Sequence, residues 1–395
     1  MRRVFVVVLD SLGVGALPDA GEFGDEGTHT LDHLAAVAGP LKVPSLERLG
    51  LGHIEGVHGV RAVGRPEGCF GRMRERSPGK DTSTGHWELM GLVLERKFPT
   101  YPQGFPVEVV AEVARRAKLA GVLGNVPASG TEILERLGQE SVRSGWPIVY
   151  TSADSVFQVA AHERHFGLER LYQVCRVART VLDPLGVGRV IARPFVEAEP
   201  SSGRRWQRTY NRRDWSLAPF GPTALDRLAA AGVPTVGVGK IGDIFAGRGV
   251  SESLHTAGDR DGMRSTLALA RRRERGLIFV NLVDFDMLYG HRRDPHGYAR
   301  NLEAFDSELG ELQGALRTGD LVLLTADHGN DPTFVKTTDH TREHVPVLAF
   351  GPGLAWGVDL GTRATFADVG ATAEEALGLE PGGAGRSFLA EIGGG

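Results

Sequence analysis

Val4-Phe5-Val6-Val7-Val8-Leu9-Asp10 is a run of six apolar residues, four of them valine, closed by a carboxylate. Such a run, with no polar alternation, reads as a strand buried on both faces, the habit of parallel sheets covered by helices. Segments 147–150, 234–238, 277–283 and 321–325 have the same character. Helical patterns lie between them at 107–119, 221–231, 262–274 and 295–316. Strands alternating with helices predict an α/β fold with a doubly wound, mainly parallel sheet.

The strand ends carry the chemistry. Asp10 closes the first run, Asp284 and Asp286 the run at 277–283, and Asp327 the run at 321–325. In open parallel sheets, ligands gather outside the carboxyl ends of strands. Carboxylates hundreds of residues apart therefore converge there. Any one of them also reads as a helix N-cap or loop residue; the adjoining histidines favour a metal centre.

The middle of the chain, 98–213, differs from its flanks. It opens with Pro99, Pro102 and Pro106, carries amphipathic helices, and ends in Gly203-Arg204-Arg205-Trp206-Gln207-Arg208. The sequence predicts a core formed by 1–97 and 214–395, with 98–213 inserted as a smaller α+β cap domain.

The bulk properties narrow the field. A chain of 395 residues has length enough for a large core. With 41% hydrophobic and 24% charged residues it has the composition of a soluble enzyme. A net charge of -4 gives no field for nucleic acid or an anionic membrane. Cys69 and Cys175 offer no disulfide framework and no C-x-x-C pair. Asp10 interrupts the first apolar run too early for an export signal, and no stretch approaches a membrane span, so a cytoplasmic location is expected.

Three segments hold reactive groups. Thr325-Ala326-Asp327-His328-Gly329-Asn330-Asp331 is followed by Thr338-Asp339-His340-Thr341-Arg342-Glu343-His344. A carboxylate beside an imidazole at a strand end suits a divalent ion, and histidines a loop away can serve a second. In Asp284-Phe285-Asp286-Met287-Leu288-Tyr289-Gly290-His291, Asp286 and His291 can meet one metal, with Gly290 supplying the turn. Gly79-Lys80-Asp81-Thr82-Ser83-Thr84-Gly85-His86-Trp87-Glu88 offers a hydroxyl nucleophile at a helix start, where a phosphate is favoured. The residues alone do not choose among Thr82, Ser83 and Thr84.

Together with Asp10-Ser11-Leu12-Gly13-Val14-Gly15, Tyr150-Thr151-Ser152-Ala153-Asp154-Ser155-Val156-Phe157-Gln158, Ala192-Arg193-Pro194-Phe195 and Val238-Gly239-Lys240-Ile241, these segments resemble the alkaline phosphatase superfamily, and within it the phosphopentomutase family. The resemblance runs over nearly the whole chain. It implies two divalent cations, Mn²⁺ by preference: one on Asp10, Asp327 and His328, the other on Asp286, His291 and His340. It implies Thr82 as the phosphorylated residue, and a sugar bisphosphate as intermediate and activator. The expected substrates are ribose 1-phosphate and ribose 5-phosphate, with the deoxyribose pair, held by Asp154, Arg193, Arg208 and Lys240. No nucleic acid, membrane or obligatory protein partner is expected. The stretch from His328 to His340 is one residue longer than the family pattern, which leaves His344 as the alternative to His340. The metal residues alone also fit a phosphatase or phosphoglycerate mutase of the same superfamily, or a non-catalytic metal- and phosphosugar-binding protein.

Overall fold

The computed structural model describes residues 3–152, 155–272 and 275–393, which form two compact units. One comprises Met1–Lys97 and Pro219–Gly395, the other Phe98–Ala218. The strands in chain order are β1 (Arg3–Leu9) and β2 (Cys69–Met73) in the first unit. Then β3 (Leu123–Pro127), β4 (Ile148–Thr151), β5 (Val156–His162), β6 (Arg189–Glu197), β7 (Trp206–Arg208) and β8 (Arg213–Ser216) lie in the second. The first unit resumes with β9 (Thr235–Val238), β10 (Glu252–Leu254), β11 (Gly276–Leu282), β12 (Asp320–Thr325), β13 (Val345–Phe350) and β14 (Asp359–Arg363).

The sheet of the first unit has the order β10-β9-β11-β1-β12-β13-β2-β14. Its first five strands are all parallel, and β13 then runs antiparallel to both β12 and β2. Every residue of β1, β11 and β12 is buried, as expected of strands covered on both faces. The sequence reading therefore holds for the fold class, with helices Asp259–Arg271 and Pro295–Ala315 connecting parallel strands. Pro295 begins its helix at a position that needs no amide donor, and Asp294 caps it by accepting from Gly297 N at 2.8 Å. The antiparallel strand β13, with β2 beside it and β14 beyond β2, is an addition that the sequence reading did not contain.

Four neighbouring strands, β9, β11, β1 and β12, end at the same edge. Beyond them in that order come Lys240, Asp286, Asp10 and Asp327.

The second unit carries a six-stranded mixed sheet, β3-β4-β5-β6-β7, with β8 also paired to β6. Alternate residues of β4 face opposite sides. Val149 packs into a cluster with Phe157, Leu171 and Val174, while Ile148 and Tyr150 pack with Ile133, Leu134 and Phe195. The last strand, β8, starts at Arg213, where the sequence reading closed the insert, and its pairing with β6 carries this unit on to Ala218. Among the described residues no helix is long and apolar enough to cross a membrane.

The entry to β1 is fixed by a buried ion pair. The Arg3 guanidinium donates to both Asp320 oxygens, Nε at 2.9 Å and Nη2 at 2.5 Å, and Nη1 donates to the carbonyls of Ala270 and Arg272. This ties the starts of β1 and β12 to the end of the Asp259–Arg271 helix. Arg3→Met leaves Asp320 buried without its cation and is expected to cost about 3–5 kcal/mol in denaturant unfolding. Adding Asp320→Leu is expected to recover most of that loss; a double variant as unstable as the single one would contradict the account.

Candidate metal centre

Asp10 leaves β1 through an unusual backbone. Ser11 has φ 77°, a left-handed conformation rare outside glycine and often kept for a functional reason. The turn sends Ser11 N to Asp327 Oδ1 at 3.1 Å and Ser11 O to Asn330 N at 3.1 Å. Two strand ends are thereby joined through one residue.

Each of the three strand-end carboxylates has an oxygen held by the chain. Asp10 Oδ2 accepts from Asn281 Nδ2 at 2.8 Å, Asp286 Oδ1 from Asn330 Nδ2 at 2.7 Å, and Asp327 Oδ1 from Ser11 N. The other oxygens point inward. Asp10 Oδ1 is buried with no hydrogen-bond partner among the described residues. Asp327 Oδ2 faces ring nitrogens, His86 Nδ1 at 3.1 Å and His328 Nε2 at 3.2 Å. Asp286 Oδ2 lies 3.1 Å from His291 Nε2.

The histidines complete the cluster. His328 Nε2 lies 3.5 Å from Asp10 Oδ1, and its ring stacks on His340 with centroids 4.0 Å apart. His340 Nε2 is 3.2 Å from His291 Nε2 and 3.6 Å from Asp286 Oδ1. His291 and His328 each set their Nδ1 against a backbone carbonyl, of Thr338 and Gly329, which aims Nε2 at the cluster. Ligand atoms of Asp286, His291 and His340, and those of Asp10, Asp286 and His328, lie within 4.8 Å of one another. All six predicted ligands are thus brought together. His344 is turned away, its Nδ1 against Gly15 O at 3.2 Å, and burial lowers its pKa to about 4.

The spacing between Asp286 and His291 has a backbone cause. Phe285–Gly290 is a π-helical turn in which His291 N donates to Asp286 O at 2.9 Å, so residues five apart face the same side. The sequence reading gave Gly290 a turn-forming role; the structure gives another reason. A Cβ at Gly290 would lie 2.8 Å from Asn330 Nδ2, the donor that orients Asp286.

Electrostatics show what the cluster needs. Burial, then the Asp327 and Asp286 charges, push Asp10 well above the usual carboxylate range. Burial acts the same way on Asp286, but His340 and His291 outweigh it and hold Asp286 well below. An unpartnered buried carboxylate oxygen, two more carboxylates and three imidazoles match the mixed oxygen and nitrogen ligation of divalent transition metals. The residues fit the two cations predicted for them.

Thr82 begins the helix Thr82–Leu89, capped by Asp81, which accepts from Ser83 N and Thr84 N, both at 3.1 Å. The helix reaches the cluster because Gly85 lies flush against β12's end; a Cβ there would sit 2.0 Å from Asp327 O. Thr82 Oγ1 lies 3.3 Å from His328 Nε2, whereas the Thr84 hydroxyl is buried and donates to Asp81 Oδ2 at 2.5 Å.

Of the other predicted residues, Lys240 is exposed at the end of β9, and its charge helps lower Asp10's pKa against the effect of burial. Arg193 and Arg208 belong to the second unit. Arg193 Nε donates to Gln158 Oε1 at 2.9 Å, and burial followed by the like charge of Arg212 lowers its pKa. Asp154 lies outside the described residues. Sequence reasoning gave no site role to Arg212, whose charge acts with those of Arg193 and Arg208 on Tyr150.

Fold and donor set together are those of a metalloenzyme. A model of the Metalloenzyme superfamily matches residues 2–381. A protein of Anaeromyxobacter dehalogenans (strain 2CP-C) named phosphopentomutase is 56% identical over 391 residues, covering 99% of this chain and 98% of its own. One from Symbiobacterium thermophilum with the same name is 53% identical over 393 residues, 99% of each chain. Among solved structures, Leishmania mexicana phosphoglycerate mutase at low cobalt concentration matches with a TM-score of 0.50. It shares 14% identity over 98% of this chain and 97% of its own, and so shares the fold. The chain belongs to the phosphopentomutase family and is an isomerase.

His340→Ala is expected to lower the bound divalent metal measured by plasma mass spectrometry, because Asp286 and His291 then lack their third partner. His344→Gln is expected to leave it at the parent level. The opposite pattern would assign the ligand to His344.

Proposed function

We propose that this chain interconverts ribose 1-phosphate and ribose 5-phosphate, and the deoxyribose pair, through a phosphorylated Thr82. The observation that carries this reading is the Thr82 hydroxyl beside His328 Nε2 at the head of a helix, with the neighbouring Thr84 hydroxyl already engaged. In the forward half-reaction, phospho-Thr82 gives its phosphoryl group to the free hydroxyl of the sugar phosphate. The P–Oγ bond breaks, a P–O bond to the sugar forms, the sugar hydroxyl's proton ends on Thr82 Oγ, and the sugar becomes a bisphosphate. In the return half-reaction Thr82 Oγ takes the other phosphoryl group, leaving the isomeric monophosphate. A catalytic amount of sugar bisphosphate primes the enzyme.

Two divalent cations, Mn²⁺ by preference, held one by Asp10, Asp327 and His328 and one by Asp286, His291 and His340, would neutralise charge on the transferring group and activate the Thr82 hydroxyl. The chain's own groups do the rest. The amino end of the Thr82–Leu89 helix favours the phosphate charge. Arg193 and Arg208 suit a bidentate hold on the phosphate that does not react. Asp154 is proposed to accept from ribose hydroxyls, and Lys240 to add charge on the side of the metal centre. The residues 98–213 are proposed to act as a cap domain. This reading calls for no nucleic acid, membrane or protein partner, and it places the reaction in the cytoplasm.

Thr82→Ala is expected to lower turnover by on the order of 10³-fold or more, since the phosphoryl group then has no carrier. Mass spectrometry of the parent protein treated with sugar bisphosphate should find phosphate on Thr82. Rapid phosphate release from ribose 5-phosphate, with no ribose 1-phosphate formed, would replace the mutase reading with a phosphatase. Arg208→Ala removes a charge-assisted contact of about 1.5–3 kcal/mol, so KM is expected to rise roughly 10- to 100-fold with kcat less affected. An unchanged KM would take Arg208 out of the site.

A further inference from the structure

We infer that Arg342 is a positioning residue that sets Thr82 against the metal-ligand cluster by gripping the loop that leads into it; this rests on the phosphothreonine reading above. Arg342 stands two residues after His340, with its side chain only 2% exposed. All three guanidinium nitrogens are engaged. Nη1 donates to Gly79 O at 2.5 Å, Ser77 O at 2.8 Å and Glu75 Oε2 at 2.6 Å. Nη2 donates to Glu75 O at 3.0 Å and Asp19 Oδ2 at 2.9 Å, and Nε to Asp19 at 3.2 Å.

Three of these acceptors are main-chain carbonyls of residues 75, 77 and 79, in a stretch of neither helix nor strand. That stretch runs directly into the Asp81 cap and Thr82. Its amides are held from the other side: Glu88 accepts from Arg76 N at 2.8 Å and Ser77 N at 2.6 Å. A second tie runs in parallel, because Asp25 Oδ2 accepts from both Arg342 N at 2.9 Å and Lys80 Nζ at 2.8 Å. The nucleophile's approach is thus set by side chains, and its carbonyl side by one guanidinium carried on the segment that supplies His340.

The chemistry favours arginine here. A planar fork with five N–H groups can serve three carbonyls and two carboxylates at once; a lysine ammonium with three donors at one point cannot. In-line transfer is steep in geometry, and a displacement of about 1 Å far from the reacting atoms can cost on the order of 100-fold in rate. Arg342 touches neither nucleophile nor ligands directly in this structure, so its effect is on placement.

The test uses the full-length, metal-loaded enzyme and Arg342→Lys. Four quantities are measured: kcat and KM with ribose 5-phosphate, bound metal, thermal midpoint, and the rate of Thr82 phosphorylation by ribose 1,5-bisphosphate. The expected result is a fall of on the order of 100-fold in kcat and in phosphorylation rate, with KM and metal content at parent levels. Parent-like kcat, or a kcat loss that follows metal loss, overturns the inference. Should Arg342→Lys fail to fold, Glu75→Gln loosens the same guanidinium and is expected to show the same split at smaller amplitude; an unchanged kcat there also overturns it. Failure of the underlying reading looks different, because the parent enzyme itself would then take no phosphate on Thr82.

Discussion

Three carboxylates forced together out of water are the constraint on which the rest of this structure depends. Parallel strands that end at one edge bring Asp10, Asp286 and Asp327 into one buried cluster. Desolvation and mutual repulsion both oppose their charges. Among the described residues no lysine or arginine pairs with these carboxylates, although the Lys240 charge acts on Asp10 from beyond β9. The protein uses neutral donors, Asn281, Asn330 and Ser11 N, each on one oxygen, and imidazoles near the others. That arrangement orients the carboxylates and leaves their remaining affinity for cations unspent. Strain at Ser11 and the close approaches at Gly85 and Gly290 are local consequences of holding that geometry.

The second unit shows the same logic with the sign reversed. Arg193, Arg208 and Arg212 act together on the buried Tyr150, and among the described residues Arg212 pairs with a carboxylate, Asp214, at 2.6 Å. Arginine keeps its charge under crowding that would deprotonate lysine. A crowd of guanidinium groups favours an anion, as a crowd of carboxylates favours cations. The net charge of -4 averages over both and shows neither.

Much of this was legible because it rests on local pattern. Unbroken apolar runs ending in aspartate predicted β1, β11 and β12 and the edge where their carboxylates meet. The helix at 295–316 followed from its proline start and periodicity. What was hidden depends on contacts between distant residues. Strands β13, β2 and β14 sit at the antiparallel side, where short runs such as Cys69–Met73 carry glycine and arginine and look like loop. Which hydroxyl Asp81 takes, Thr84's rather than Thr82's, is left open by the string Asp-Thr-Ser-Thr. The π-turn at Phe285–Gly290 has no propensity signature, though the five-residue spacing it serves was visible. Arg342 read as part of a metal motif and only in three dimensions becomes a clamp.

The register of His328 and His340 follows from how the loop between them is hung. Gly329 and Thr341 form an isolated antiparallel bridge, with hydrogen bonds of 3.1 and 2.8 Å, immediately beside the two histidines. The bridge sets the register of His328 and His340 independently of what lies between. Inside it, Arg293 gathers the chain, donating from Nη1 to Asp331 O at 3.0 Å and from Nη2 to the carbonyls of Thr337 and Asp339. Between Asp331 and Thr337 the chain is tied instead through Thr333, whose amide and hydroxyl donate to Asp331 Oδ1 at 2.9 and 2.7 Å. Beyond the bridge, Glu343 is fixed by Thr30 and Thr341, and His344 N donates to Gly15 O. That places His344 beyond an anchored backbone, with its ring against Gly15 O rather than in the cluster.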